Sequence, residues 1–104
     1  MSRRSLNKEL ASEKVEIHFY LVSIKDGQKI LKPLKFTTKI SLGLVRAISA
    51  DTVIPTFYDT LSDNLRERGV KDGSTVQLRA KFSPGHEMFD PSLKGTKVIC
   101  EAKV

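Results

Sequence analysis

The chain has few of the residues on which small catalytic or metal-binding sites depend. Its 104 residues include one cysteine, Cys100, two histidines, His18 and His86, and no tryptophan. A single thiol excludes an internal disulfide and a cysteine-rich zinc or iron–sulfur site. No apolar run approaches the ~20 residues that span a bilayer, and no secretory signal follows Arg3 and Arg4. We therefore expect an intracellular protein, cytoplasmic or nuclear, without a membrane span.

Catalytic and cofactor motifs are equally scarce. No nucleophile motif surrounds any serine, and no glycine-rich phosphate loop is present. His86, Glu87 and Asp90 are close in sequence, but the polarity of a loop explains them better than an ion site does. Cys100 alternates with apolar residues, which is typical of a small core residue. The sequence therefore predicts no enzyme activity, no cofactor, no metal and no small-molecule substrate.

Positive charge is in excess and is unevenly placed. The formal net charge is +6; residues 1–50 carry ten Lys/Arg against four Asp/Glu, and residues 51–104 carry eight of each. This asymmetry is typical of a protein that binds an acidic partner, although a solvated surface has the same composition. A protein, a nucleic acid or a membrane surface could supply the opposite charge.

The first half of the chain predicts a hairpin. Val15 to Leu21 alternates apolar and polar side chains, and Ile30 to Thr37 predicts a second strand. Asp26-Gly27 between them tolerates the positive backbone angles of a tight turn. Pro33 lacks an amide proton, so we place the second strand at the edge of the sheet.

The middle of the chain predicts short elements. Ser41 is a candidate N-cap for a helix over about 41–50. Val53 to Tyr58 has the pattern of a short extended segment, with Pro55 again favouring an edge. Leu61 to Arg68 predicts a single helical turn or a short helix, which Gly69 would end.

The last third predicts two further strands. Asp72-Gly73 is a turn, and Thr75 to Phe82 then alternates cleanly. Residues 83–96 are rich in turn formers and predict a loop, and Lys97 to Val104 alternates again as an extra strand. We expect the strand over 15–23 to lie beside the strand over 75–82 in the middle of the sheet.

The segment from Leu61 to Leu78 resembles the closing third of ubiquitin-like domains. Thr60-Leu61-Ser62-Asp63 is similar to the Thr-Leu-Ser-Asp of ubiquitin. The run from Gly69 to Leu78 is similar to the Gly-Ile-x-Asp-Gly-Ser-Thr-Leu-x-Leu ending of that family. From Val15 to Asp51 the chain resembles the family in the order of its elements, not in its residues.

This resemblance implies an α+β fold of the ubiquitin-like β-grasp type. The expected architecture is a mixed sheet of four to five strands packed on one helix, with an extra C-terminal strand. The helix would connect the hairpin to a parallel strand. The expected divisions are a flexible basic arm over 1–13, a β-grasp domain over 14–83, and a loop and additional strand over 84–104.

The resemblance also implies a binding function, since most ubiquitin-like domains bind macromolecules and catalyse nothing. Our first hypothesis is a non-enzymatic protein-interaction module that binds an acidic partner through a basic sheet face and edge strand. Ras-binding ubiquitin-like domains have a comparable basic edge. The expected partner-binding residues lie outward on the central strands or on the edge strand: His18, Tyr20, Lys29, Lys32, Lys35, Arg79 and Lys81.

Two other functions are considered. The second hypothesis is a small basic nucleic-acid-binding protein in which Arg79 and Lys81 contact phosphates and Tyr20 stacks on a base. The third is a conjugated ubiquitin-like modifier. It is the weakest, because modifiers need a C-terminal diglycine and this chain has Glu101-Ala102-Lys103-Val104 at its end.

Overall fold

A four-stranded antiparallel sheet with helices on one side forms the part of the chain that the computed structural model describes, residues 13–53 and 55–104. The predicted arm over 1–13 therefore lies, apart from Glu13, outside the described residues, as does Ile54 of the predicted extended segment. In chain order the elements are β1 (Lys14–Lys25), β2 (Gln28–Ser41), α1 (Leu42–Ser49), α2 (Pro55–Glu67), β3 (Thr75–Lys81), a single irregular helical turn (Ser92–Gly95) and β4 (Thr96–Lys103).

The strand order is β2-β1-β3-β4, and every neighbouring pair is antiparallel. The predicted central pair and the edge position of β2 are confirmed, and β4 is the extra strand, paired with β3 of its own chain. The predicted mixed sheet is wrong. Helix α2 returns the chain to the end at which β2 began, so β3 runs in the direction of β2 and opposite to β1 between them.

The prediction of an extended segment over 53–58 and of one helix is also wrong, because Pro55 begins a second helix of 13 residues. At the first helical position the missing amide proton of proline breaks no hydrogen bond and its backbone angle already suits the helix. Phe57, Leu61 and Leu65 then recur every four residues, and these three side chains form the inner side of α2.

Local turn and capping signals are confirmed. The Ser41 hydroxyl accepts a hydrogen bond from the Leu44 amide at 3.2 Å and caps α1. Asp26 and Gly27 have φ angles of 53° and 78°, as a two-residue hairpin turn of this kind requires. Gly69 follows α2 at a φ of 92°, where a residue with a side chain would be strained.

The core lies between α1, α2 and the inner face of the sheet. Ile17, Val45, Val76 and Ala80 are fully inaccessible to solvent there, and Leu65 is 1% exposed. Burial of an isoleucine, valine or leucine side chain contributes on the order of 2 kcal/mol by removing it from water, and burial of the Ala80 methyl group contributes less. In the described residues, neither helix has the length and apolar character needed to cross a membrane.

The register between β1 and β2 shifts at one point. Thr37 lies opposite His18, but Pro33 lies opposite Tyr20, so β2 has two more residues than β1 in this interval. Such a bulge bends the strand and breaks the regular ladder of hydrogen bonds. Pro33 is tolerated here because an edge strand does not need its amide proton.

Candidate binding groove between α2 and β2

The open face is the side of the sheet that faces away from the helices, and it holds most of the predicted partner-binding residues. The register brings together Glu16, His18 and Tyr20 of β1, Gln77, Arg79 and Lys81 of β3, Glu101 of β4 and Lys39 of β2. Their side chains share this face because successive residues of a strand alternate between sides. The predicted grouping of β1 and β3 side chains is therefore present.

Arg79 is buried on this face, which the sequence did not predict. It is 8% exposed, and its Nε and Nη2 donate to the hydroxyl and carbonyl oxygens of Thr96 at 2.8 and 2.7 Å. Its Nη1 donates to Oε1 of Gln77 at 2.8 Å. The expectation of an exposed guanidinium is wrong, because β4 pairs with β3 and places Thr96 over the arginine. Arg79 thus joins β3 to β4.

Two other predicted residues of the open face are buried or paired: Tyr20 is buried, and His18 is paired with Glu16. Tyr20 is 7% exposed, so its ring is not available as a stacking platform. Nε2 of His18 lies 2.8 Å from Oε2 of Glu16. The hydrogen bond from His18 lowers the pKa of Glu16, and the charges of Lys81 and Lys39, its neighbours on the two flanking strands, lower it further.

Lys29 belongs to the same open face, although it lies on the edge strand. Its ammonium group donates to Oε2 of Glu101 at 2.8 Å, and the amide of Gln77 donates to the same oxygen at 2.7 Å. These two hydrogen bonds, that from Lys29 first, hold the pKa of Glu101 below its ordinary value. Lys29 is therefore engaged by the strand at the opposite edge of the sheet.

Lys35 belongs to the bulged part of β2, and its neighbours in the fold lie on the side of the sheet that faces the helices. It lines a depression with Arg68 and Lys71, which belong to the turn between α2 and β3. The apolar residues of the same depression are Leu21, Leu34, Phe36 and Val70. Lys32 is opposite Leu21 in the β1–β2 ladder, so its side chain leaves the sheet on this side too.

Two further depressions continue from this one along α2. The middle depression shares Phe36 and Arg68 with it, and the far depression shares Leu61 and Asn64 with the middle one. We call the continuous surface the groove. It lies between α2 and β2, with Phe19 at its base. The far depression ends between Ile40, Phe57 and Thr60, so the groove is basic at one end and uncharged at the other.

Arg68 is held at the junction of the first two depressions. Its guanidinium carbon lies 4.6 Å from the centre of the Phe36 ring, and that ring lies 5.0 Å from the ring of Phe19. A cation over an aromatic face is attracted by the ring quadrupole and keeps its outer N–H groups free to donate. Within the described residues, Glu67 is the one carboxylate that lines the groove, and it lies in the middle depression.

Of the predicted residues, then, Lys35 lines the groove and Lys32 lies on the same side of the sheet. His18, Tyr20, Lys29, Arg79 and Lys81 lie on the open face. Sequence reasoning missed Arg68 and Lys71. Their signal was present: both flank Gly69-Val70 in the turn that was singled out, but the turn was considered only for its backbone.

His86 and Cys100, the other residues considered for chemistry, contact residues of the fold itself. His86 stacks on Phe82 at 4.6 Å between ring centres, and its Nδ1 accepts from the Met88 amide at 3.0 Å. No group of three or more potential metal ligands occurs in residues 13–53 and 55–104. Cys100 is half-buried against the core, and burial, with a smaller effect of the Glu101 charge, raises its pKa to about 11. Its thiol is therefore protonated at neutral pH.

Comparison of the chain with protein-family models, with curated proteins and with solved structures finds no match.

Proposed function

We propose that this protein is a non-enzymatic interaction module that binds an acidic protein segment through the groove. The observation that carries the proposal is the meeting of Lys35, Arg68 and Lys71 around an apolar surface. No carboxylate of the described residues lines that depression. Cations beside an uncovered apolar surface match a partner that offers both acidic and apolar side chains.

The two parts of the groove have different roles in this proposal. Half-buried apolar side chains, such as Leu34 and Phe36, gain free energy when a partner removes them from water. The cations at the rim attract an acidic segment and fix its position, and they contribute more to the rate of association and to selectivity than to affinity. The basic edge strand thus stays in the proposal through Lys32 and Lys35, and the sheet face does not.

The nucleic-acid hypothesis has less support from the geometry. It requires an exposed aromatic platform beside phosphate-binding cations. Tyr20 and Arg79, which would supply these, are 7% and 8% exposed. A ubiquitin-like relationship remains a proposal that rests on the resemblance of residues 60–78. The antiparallel pairing of β1 with β3 is an observation against it.

The proposal can be tested by recovery of partners from native lysate with three forms of the tagged protein. One is the unaltered chain, and one combines Arg68→Glu with Lys71→Glu in the groove. The matched control combines Lys39→Glu with Lys81→Glu, which changes the net charge equally on the open face. Each recovery is run with and without nuclease, and each recovered protein is then purified and tested for direct binding.

We expect to recover a protein with the unaltered chain, with or without nuclease. The control variant should recover the same protein, and the groove variant should not. The binding segment of that protein should be acidic. Loss with the open-face variant alone would place binding on the other side of the sheet. Recovery that collapses with nuclease would support the nucleic-acid hypothesis instead.

A further inference from the structure

The groove is long enough for a regular partner segment. Its wall on α2 extends from Phe57 to Arg68, which is about 16 Å at the rise of an α-helix. Its wall on β2 extends from Leu34 to Ile40, which is about 20 Å at the rise of a strand. A helix of three to four turns has about this length.

The depressions succeed one another at about one helical turn. The far depression is bounded on α2 by Phe57 and Asn64, and the middle depression by Leu61 and Arg68. This step of four residues is about 6 Å along the axis. Apolar side chains at i, i+4 and i+7 of an incoming helix recur at nearly the same distance, which is how helices anchor in grooves.

An added strand fits this edge poorly. Strand addition needs an uninterrupted row of backbone groups on the edge strand. In β2 that row is broken beside the groove, because Pro33 has no amide proton and the register shifts between Pro33 and Thr37. A helix needs none of these backbone groups, since its own are satisfied within it.

The charge of the groove selects among helices. Lys35, Arg68 and Lys71 at one end favour a segment that carries carboxylates. The N-terminal residues of this chain do not qualify, because Arg3, Arg4 and Lys8 outnumber Glu9 within residues 1–12. The matching occupant is therefore a segment of another protein.

We infer that the groove takes an acidic amphipathic α-helix of about three turns, with one apolar side chain in each depression and carboxylates beside Lys35, Arg68 and Lys71. The inference rests on the proposed function and adds the secondary structure of the partner. It makes Asn64, at the junction of two depressions, the residue whose enlargement blocks the site.

The test uses three labelled synthetic peptides of about 15 residues, the length that matches the groove. The first carries leucines at i, i+4 and i+7 among glutamates. The second has the same sequence except that two central residues are replaced by proline, which breaks a helix. The third replaces glutamate by lysine. Binding to the full chain is measured by fluorescence anisotropy, and peptide helicity by circular dichroism difference spectra.

We expect the first peptide to bind at least tenfold more tightly than either of the others and to gain helicity on binding. Asn64→Trp should weaken it at least tenfold. Asp59→Trp, on an exposed part of the same helix outside the groove, should leave binding unchanged. Urea unfolding of both variants shows whether either change acts through stability.

Equal or tighter binding of the proline peptide would overturn the helix inference and leave the proposed function intact, since an acidic extended segment would then be the occupant. Absence of binding by the leucine–glutamate peptide, or binding that Asn64→Trp does not weaken, would also overturn it. The proposed function is tested separately, by the recovery of partners from lysate with the groove and open-face variants.

Discussion

The two sides of the sheet carry similar numbers of cations but use them differently. On the open face, Arg79 donates three hydrogen bonds to its own chain, and Lys29 is paired with Glu101. In the groove, Arg68 lies over an aromatic ring and Lys35 borders apolar side chains. The comparison teaches that the number of positive charges does not identify a binding surface. What distinguishes the groove is that its cations lie beside half-buried apolar side chains.

The two sides of the sheet differ because β4 adds residues to the open face, while β2 is an edge strand beside the groove. Strand β4 carries Glu101 and Thr96 to the open face, where Glu101 pairs with Lys29 of the far edge strand and Thr96 accepts hydrogen bonds from Arg79 of the neighbouring strand. No corresponding strand lies beyond β2, the opposite edge of the described sheet. The groove is therefore left between an edge strand and a helix, with partly exposed apolar residues that the core does not fully cover.

The largest expected effect concerns Arg79. Its replacement by alanine removes the side-chain donor to the carbonyl and hydroxyl oxygens of Thr96 and to Oε1 of Gln77 in a buried site. We expect Arg79→Ala to lower the free energy of unfolding by about 3 kcal/mol. Lys81→Ala, on the same strand but exposed, should change it by less than about 0.5 kcal/mol. Urea titration measures both, and an equal response would remove the distinction between buried and available cations.

The next effect concerns the base of the groove. Phe36 is half-buried and contacts Phe19, and it supports Arg68. Phe36→Ala should lower the free energy of unfolding by about 2 kcal/mol, less than for a fully buried phenylalanine, and should abolish partner binding. Leu31→Ala is the control for binding, because Leu31 lies on the same strand opposite Val22, on the open face. Normal binding by a folded Phe36→Ala variant would show that the groove is not the site.

Arg68→Ala should have a smaller effect on stability and therefore allows binding to be measured separately from folding. Arg68→Ala removes a cation–π contact that is worth about 0.5 kcal/mol at an exposed position. We therefore expect almost unchanged urea unfolding but clearly weaker binding of an acidic partner, with less dependence on salt concentration. Thermal unfolding and binding titrations at two ionic strengths measure the two effects. A large loss of stability would mean that Arg68 is structural, like Arg79.

The smallest expected effect is on the pH dependence of stability. The pKa of Glu101 lies below its ordinary value of 4.5 in the folded chain. A carboxyl whose pKa is lowered by folding contributes stability above its unfolded pKa, and this contribution is lost as the pH falls through the folded pKa. Glu101→Gln should therefore flatten the decrease in the urea midpoint below pH 4.5 and leave acidic-partner binding near neutrality unchanged. An unchanged pH profile would contradict the pairing with Lys29.

The sequence predicted the elements whose causes are local. The hairpin turn depends on Asp26 and Gly27, the start of α1 depends on Ser41, and the end of α2 depends on Gly69. In each case one or two neighbouring residues satisfy the backbone, so the signal can be read without the rest of the fold.

The features that were missed depend on residues that are distant in sequence. Pro55 is compatible with an edge strand or with the first turn of a helix, and the packing of Phe57 and Leu61 against the sheet decides for the helix. The direction of β3 follows from the path of α2. The burial of Arg79 depends on Thr96, 17 positions later. The alternation of apolar and polar residues therefore predicted the face of the sheet on which Arg79 lies, but not that it is buried.

The most direct test of the account is a titration of isotope-labelled protein with the acidic helical peptide, followed by amide chemical shifts. We expect shifts for the amides of Leu34, Phe36, Asn64 and Val70 in the groove. The amides of His18, Gln77 and Glu101, which belong to the open face, should stay in place. Shifts confined to the open face, with an undisturbed groove, would contradict the claim that the cations beside the apolar groove mark the binding surface.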